Sequence, residues 1–282
     1  MRSSPFCHHL DSQLDLSKIR HIAFDMDGTL YSGKTLFNYT KQTLDTLEAL
    51  GIGYTYLTNN SSLSAKDYLH KITKLGLNGT SDNIFTSSLA TISYLKKHHP
   101  TLKKAYVLGT QSLRDEFVEY GYTLATEQNE EEPDFVIAAF DTTLTFDRLC
   151  KAAWWVKQGK PYFATHPDKI CPTDQPTVLV DCGALCVCIE NATGRVPDIV
   201  FGKPDRIMID GIIEKHGLKQ NEIAMVGDRL YTDMEMARKA GIIGVLVLSG
   251  EATLDDFKKS GLSTELVVDN IAVLAELLKN TH

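Results

Sequence analysis

Ile19-Arg20-His21-Ile22-Ala23-Phe24-Asp25-Met26-Asp27-Gly28-Thr29 joins a short apolar run to an abrupt acidic loop. An apolar stretch that stops at Asp and Gly reads as a buried strand followed by a loop. Downstream, Leu44, Leu47 and Leu50 recur at helical spacing and Gly51 stands where a C-terminal cap belongs, which predicts a helix over about 39–50. A second strand is predicted from Tyr54 to Leu57, running straight into Thr58-Asn59-Asn60-Ser61. Ser64-Ala65-Lys66-Asp67 has the form of a capping box and opens a helix that stops at Gly76.

The alternation returns near the other end of the chain. Strands are predicted at Ile199 to Phe201, Ile223 to Val226 and Gly244 to Leu248, and helices at 205–216, 232–240 and 270–278. Strands alternating with amphipathic helices predict a parallel sheet covered on both faces, with the ligand site outside the carboxyl ends of the strands. Asp25, Thr58 and Asp228 each fall just past a predicted strand end. Between these halves lies a stretch with its own alternation: strands at 105–108, 135–139 and 162–164, and a helix over 146–158. The predicted division is therefore 1–87 with 196–282 as one unit, and 88–195 as an inserted unit.

Composition narrows the class. Of 282 residues, 43% are hydrophobic and 23% charged, which is a globular balance. No apolar run reaches the roughly 18 residues of a membrane span, and Met1 to Leu10 lacks a signal-peptide core, so a cytoplasmic location is expected. The net charge of −7 argues against nucleic acid as a partner. The acidic stretch from Glu127 to Asp134 reads as a solvated loop, and His8 and His9 beside Cys7 as a disordered terminus. Cys182, Cys186 and Cys188 lie close together, but their spacing is not a zinc pattern; reduced, buried thiols are expected.

Asp25 and Asp27 stand two apart on the loop leaving the first strand. One could attack a phosphorus while the other reaches the leaving oxygen; an Asp-x-Asp-Gly loop is also an ordinary turn. Three further elements weigh against the plain turn. Thr58 offers a hydroxyl and the N–H groups after it, and Lys203 in Gly202-Lys203-Pro204 offers a fixed cation. Gly227-Asp228-Arg229-Leu230-Tyr231-Thr232-Asp233 offers two carboxylates at a strand end, suited to a hard cation.

These four elements resemble the signature motifs of the haloacid dehalogenase-like superfamily, most closely its NagD-like, 4-nitrophenylphosphatase-type branch. The resemblance implies an α/β fold, with a Rossmann-like parallel sheet core and a smaller inserted α/β cap domain. It implies Asp25 as nucleophile and Asp27 as general acid/base. Mg²⁺ would be held by the Asp25 carboxylate, the Asp27 carbonyl and Asp228, with Asp233 in support. Thr58 and Lys203 would hold phosphoryl oxygens, with Asn59 and Asn60 close by. In this family a cap loop reaches towards the metal; the candidate is Thr165-His166-Pro167-Asp168, where relatives often show Thr-Asn-x-Asp, so His166 and Asp168 are the candidates for substrate specificity.

The expected activity is hydrolysis of small phosphate monoesters (a sugar phosphate, a nucleotide or a 4-nitrophenyl phosphate-like ester) through an aspartyl phosphate. Two alternatives stand beside it: a phosphotransferase or phosphomutase of the same superfamily, and a non-catalytic ligand-binding protein on this fold. Asp27 favours phosphate-ester chemistry over dehalogenation. The insert after Thr58 favours a phosphatase over the sugar phosphomutases, whose cap lies earlier in the chain. A homodimer through the cap is an assembly that such caps form.

Overall fold

The computed structural model describes residues 6–126, 131–173 and 175–281. The chain packs as two compact units, one of residues 1–57, 71–85 and 204–282, the other of residues 58–70 and 86–203.

The first unit is built on a seven-stranded sheet in the order Cys7–Leu10, Leu266–Val268, Ile243–Val247, Ile223–Gly227, His21–Asp25, Gly53–Thr58, Ile84–Thr86. The four strands from Leu266–Val268 to His21–Asp25 run parallel to one another, as does Gly53–Thr58 beside His21–Asp25. Every residue of His21–Asp25, Ile223–Gly227 and Ile243–Val247 is buried. Burial on both faces explains why these strands read as continuous apolar runs and not as alternating ones. The helices Thr40–Ala49 and Ile271–Lys279 pack together, the latter started by Asn270, whose side chain accepts the Ala272 N–H.

The N-terminal segment corrects an expectation. Cys7–Leu10 is an antiparallel edge strand on Leu266–Val268, tied down by the Asp269 N–H to Phe6 carbonyl bond at 3.0 Å and by His8 against Asp269. Main-chain pairing holds it, which side-chain composition does not announce.

The second unit carries a five-stranded sheet in the order Ile199–Val200, Tyr162–Ala164, Phe135–Ala138, Lys104–Leu108, Thr123–Leu124, with each pair parallel. Ile199–Val200, read as part of the other sheet, pairs here with Tyr162–Ala164. The apolar pattern reports burial and spacing but not which sheet a strand joins. Helices Phe146–Lys157 and Cys182–Thr193 pack on one another, and Ala152, Val156, Cys182, Leu185, Cys186 and Ile189 share a core with Tyr106, Val136 and Tyr162. All six cysteines are free, and Cys182 and Cys186 lie one helical turn apart in that core. Trp155 packs against the same core, whereas Trp154 faces solvent. Of the acidic stretch, residues 127–130 lie outside the described residues; Glu131 pairs with Lys104 and Glu132 with Lys160. No helix of the described residues is long and apolar enough to cross a membrane.

A buried ion pair staples this unit. Arg148 and Asp141 meet at 2.7 Å with side chains 10% and 0% exposed, and the guanidinium also donates to the Thr143 and Gly109 carbonyls. Removing one partner strands a charge in low dielectric. Arg148→Met is therefore expected to destabilise the protein by about 3–5 kcal/mol, read by urea unfolding at the emission of Trp154 and Trp155.

Candidate functional site

In the first unit, Asp25 ends one buried strand and Asp228 directly follows its neighbour, with Phe24 registered against Val226. Parallel pairing thus sets the two carboxylates at the same end of the sheet. Asp233 is brought to them by local geometry. The expected helix over 232–240 opens instead with a π-helical turn, Leu230–Met234, before Glu235–Ala240 continues as α-helix. In that turn the Met234 N–H reaches back to the Arg229 carbonyl at 3.2 Å, and the Arg229 N–H donates to Asp233 Oδ2 at 3.1 Å. One carboxylate oxygen each of Asp25, Asp228 and Asp233 lies within 4.8 Å of the others, and all three residues are buried.

Glycines make room for this group. Gly28 has φ +87°, and a Cβ there would lie 2.3 Å from Asp228 Oδ2; a Cβ on Gly250 would lie 2.0 Å from the same atom. Asp228 Oδ2 accepts the Glu251 N–H at 2.7 Å, while Oδ1 is buried without a hydrogen-bond partner. Burial, then the charges of Asp25 and Asp233, push the Asp228 carboxyl up to about 7, against the Glu251 N–H and Arg229. Crowded, buried oxygen donors with one acceptor unmatched are what a hard divalent cation satisfies, so the residues present fit Mg²⁺. The Asp27 side chain is exposed and outside this group; its Oδ1 accepts the Gly33 N–H at 3.2 Å.

The second unit holds the other candidates. The Thr58 hydroxyl accepts the Asn60 N–H at 3.2 Å, and Asn60 Oδ1 accepts both the N–H and the hydroxyl of Ser62. Asn59 is bonded to the main chain of Lys203 on both sides, its Oδ1 to the N–H at 2.6 Å and its Nδ2 to the carbonyl at 3.0 Å. Lys203 is itself buried. His166 is fully buried, with Nδ1 3.5 Å from Asp168 and Nε2 3.4 Å from Asp181. Burial raises the Asp168 carboxyl, but the His166 ring, the Asn59 amide and Lys203 outweigh it and hold the group below its usual range. Burial pushes Asp181 up to about 6, opposed by His166 and the Cys182 N–H.

Sequence reasoning passed over Asp181, Arg229 and the Ser249-Gly250-Glu251 loop. Asp181 carried a signal, since Asp before Cys182-Gly183-Ala184-Leu185 is an N-cap, and its side chain does cap that helix. Gly250 lies two residues past a predicted strand end, and a glycine there can mark a close backbone approach.

Comparison with known proteins fits this arrangement. A family profile described as haloacid dehalogenase-like hydrolase matches residues 22–123, and a second, HAD-hydrolase-like, matches 200–274. An acid sugar phosphatase of Staphylococcus aureus is 30% identical over 256 residues, covering 90% of this chain and 96% of that protein. The crystal structure of a 4-nitrophenylphosphatase from Thermotoga maritima superposes with a TM-score of 0.87 at 39% identity, covering 93% of this chain and 98% of the other. NagD from E. coli K-12 superposes at 0.80 with 30% identity, covering 90% and 97%. With an α/β core of parallel strands and the aspartates at their carboxyl ends, the chain belongs to the haloacid dehalogenase-like hydrolases, in their NagD-like branch.

Proposed function

We propose that the protein is a Mg²⁺-dependent phosphatase of small phosphate monoesters, such as sugar phosphates, nucleotides and 4-nitrophenyl phosphate-like esters. The observation that carries the reading is the buried group of Asp25, Asp228 and Asp233, with one Asp228 oxygen unmatched. The names of the relatives, an acid sugar phosphatase and a 4-nitrophenylphosphatase, support the same class. Phosphatases of this family generally use Mg²⁺. Residues 1–87 with 196–282 are assigned as hydrolase core and 88–195 as cap, except that Ile199–Val200 joins the sheet of the cap.

In the proposed mechanism an Asp25 carboxylate oxygen attacks phosphorus, and the bond from phosphorus to the ester oxygen breaks. Asp27 gives its proton to the departing alkoxide. The exposure of Asp27 suits a group that must exchange protons with water. A water then attacks the aspartyl phosphate, passing a proton to Asp27; phosphate leaves and Asp25 is regenerated. The Thr58 hydroxyl and the Lys203 ammonium hold phosphoryl oxygens. Mg²⁺ would be held by Asp25, the Asp27 carbonyl and Asp228, supported by Asp233, and would offset the negative charge brought together there. Free cysteines throughout support a cytoplasmic location. Exposed Ile170, Val178 and Val180 support a homodimer through the cap.

Release of phosphate from a panel of monoesters with Mg²⁺ tests the reading. Asp25→Asn is expected to abolish turnover, and Asp27→Asn to slow it by about 10²–10⁴-fold while phosphate binding is partly retained. Turnover by Asp25→Asn equal to wild type would refute the mechanism. Separately, in EDTA-treated protein Mg²⁺ at about 100 times its Kd should add about 2.7 kcal/mol of stability, seen as a raised Tm. Asp228→Asn should remove most of that gain, since it replaces a charged ligand with a neutral one.

A further inference from the structure

The Asn59 side chain has no donor left over for a ligand. A primary amide offers two N–H donors, and Nδ2 already serves the Lys203 carbonyl at 3.0 Å and Asp168 Oδ2 at 3.1 Å. Its Oδ1 accepts the Lys203 N–H at 2.6 Å, and the Asn59 carbonyl accepts the Ser87 hydroxyl at 2.6 Å. The neighbouring Gly202 closes the remaining side: at φ +77°, a Cβ there would lie 2.8 Å from Asn59 Oδ1 and 2.7 Å from His166 Cβ. The residue is 6% exposed.

We propose that Asn59 and Asp168 are a positioning pair and not ligands of the phosphate. Asn59 clamps the Lys203 residue through both its N–H and its carbonyl, and Asp168 fixes which way the amide faces. An amide turned over by 180° would set its oxygen against the Asp168 carboxylate and the Lys203 carbonyl, and its NH₂ against the Lys203 N–H. A carboxylate only accepts, so Asp168 selects the one orientation that grips Lys203. The buried His166 ring lies against Asp168, with Asp181 on the ring's far side. The result is a chain of contacts from the cap of helix Cys182–Thr193 to the backbone of Lys203. A displacement of about 1 Å in a phosphate-holding group is enough to cost about 10²-fold in rate.

The inference rests on Lys203 as a phosphate ligand, and the test separates the two ideas. Asn59→Asp, Asn59→Ala, Asp168→Asn, the double variant Asn59→Asp/Asp168→Asn and the reference Lys203→Met are compared with wild type. The readouts are hydrolysis of 4-nitrophenyl phosphate with Mg²⁺, the inhibition constant of inorganic phosphate, and Tm. Asn59→Asp sets a carboxylate against Asp168 and the Lys203 carbonyl, and should weaken phosphate inhibition and kcat/KM by about 10–100-fold. The double variant restores a donor facing an acceptor, because the amide introduced at 168 donates to the carboxylate introduced at 59. It should regain about tenfold over Asn59→Asp at similar Tm, which general loosening of the fold would not produce. Asn59→Ala should weaken phosphate inhibition by about tenfold, and it replaces Asn59→Asp as the readout if that protein does not fold. Phosphate inhibition weakened by Lys203→Met but untouched by both Asn59 variants overturns the positioning pair, as does a double variant no better than Asn59→Asp. Unchanged inhibition in Lys203→Met overturns instead the assignment of Lys203 on which the pair depends.

Discussion

Three carboxylates held within 4.8 Å of one another in a buried pocket repel, and the first unit is organised around that repulsion. At an effective dielectric of about 20, each like-charge pair at such a distance costs about 3–4 kcal/mol. The fold accepts the cost because the strands bearing Asp25 and Asp228 are buried on both faces and paired in register. Protonation relieves the strain in part: burial first, and then the charges of Asp25 and Asp233, push the Asp228 carboxyl up to about 7. A divalent cation held among them would relieve it further and keep the carboxylates ionised, the state that the proposed attack by Asp25 requires.

The second unit solves a different problem, the burial of a lysine. Lys203 sits in a loop with its main chain taken up by Asn59, and its ammonium helps hold the nearby Asp168 carboxyl in the charged form. The same unit uses Arg148 and Asp141 in an ion pair. Both arrangements hold a loop by buried polar contacts, neutral amide bonds at Lys203 and an ion pair at Arg148.

The strands that place the aspartates were legible because a parallel strand buried on both faces has little freedom of composition. Ile22 to Phe24 and Ile223 to Val226 are apolar without interruption and end at Asp or Gly. Shorter or peripheral elements left weaker marks. Ile84–Thr86 and Leu266–Val268 have three residues each, too few to show a period, and Cys7–Leu10 owes its pairing to main-chain atoms. Helix Cys182–Thr193 was hidden by a run of small and sulfur-bearing residues, so its cysteines read as a cluster and not as one buried face. The site divided along similar lines. Residue types that carry charge to a strand end were visible, whereas the dual use of Asn59 depends on residues 109 and 144 positions away in sequence.

The π turn at Leu230–Met234 bears on how this sequence tolerates deletion. Such a turn is an α-helical turn with one residue too many, and the extra residue swings Asp233 towards Asp25 and Asp228. Loss of any one residue between 230 and 232 would let the segment relax into regular helix, a locally more comfortable state. Each residue of helix turns the chain by about 100°, so Asp233 would then face a different quarter of the helix. The chain would still fold and its composition would hardly change, but one of its three carboxylates would be gone from the pocket. The number of residues across this short segment therefore matters to the carboxylate group as much as the identity of the aspartates themselves.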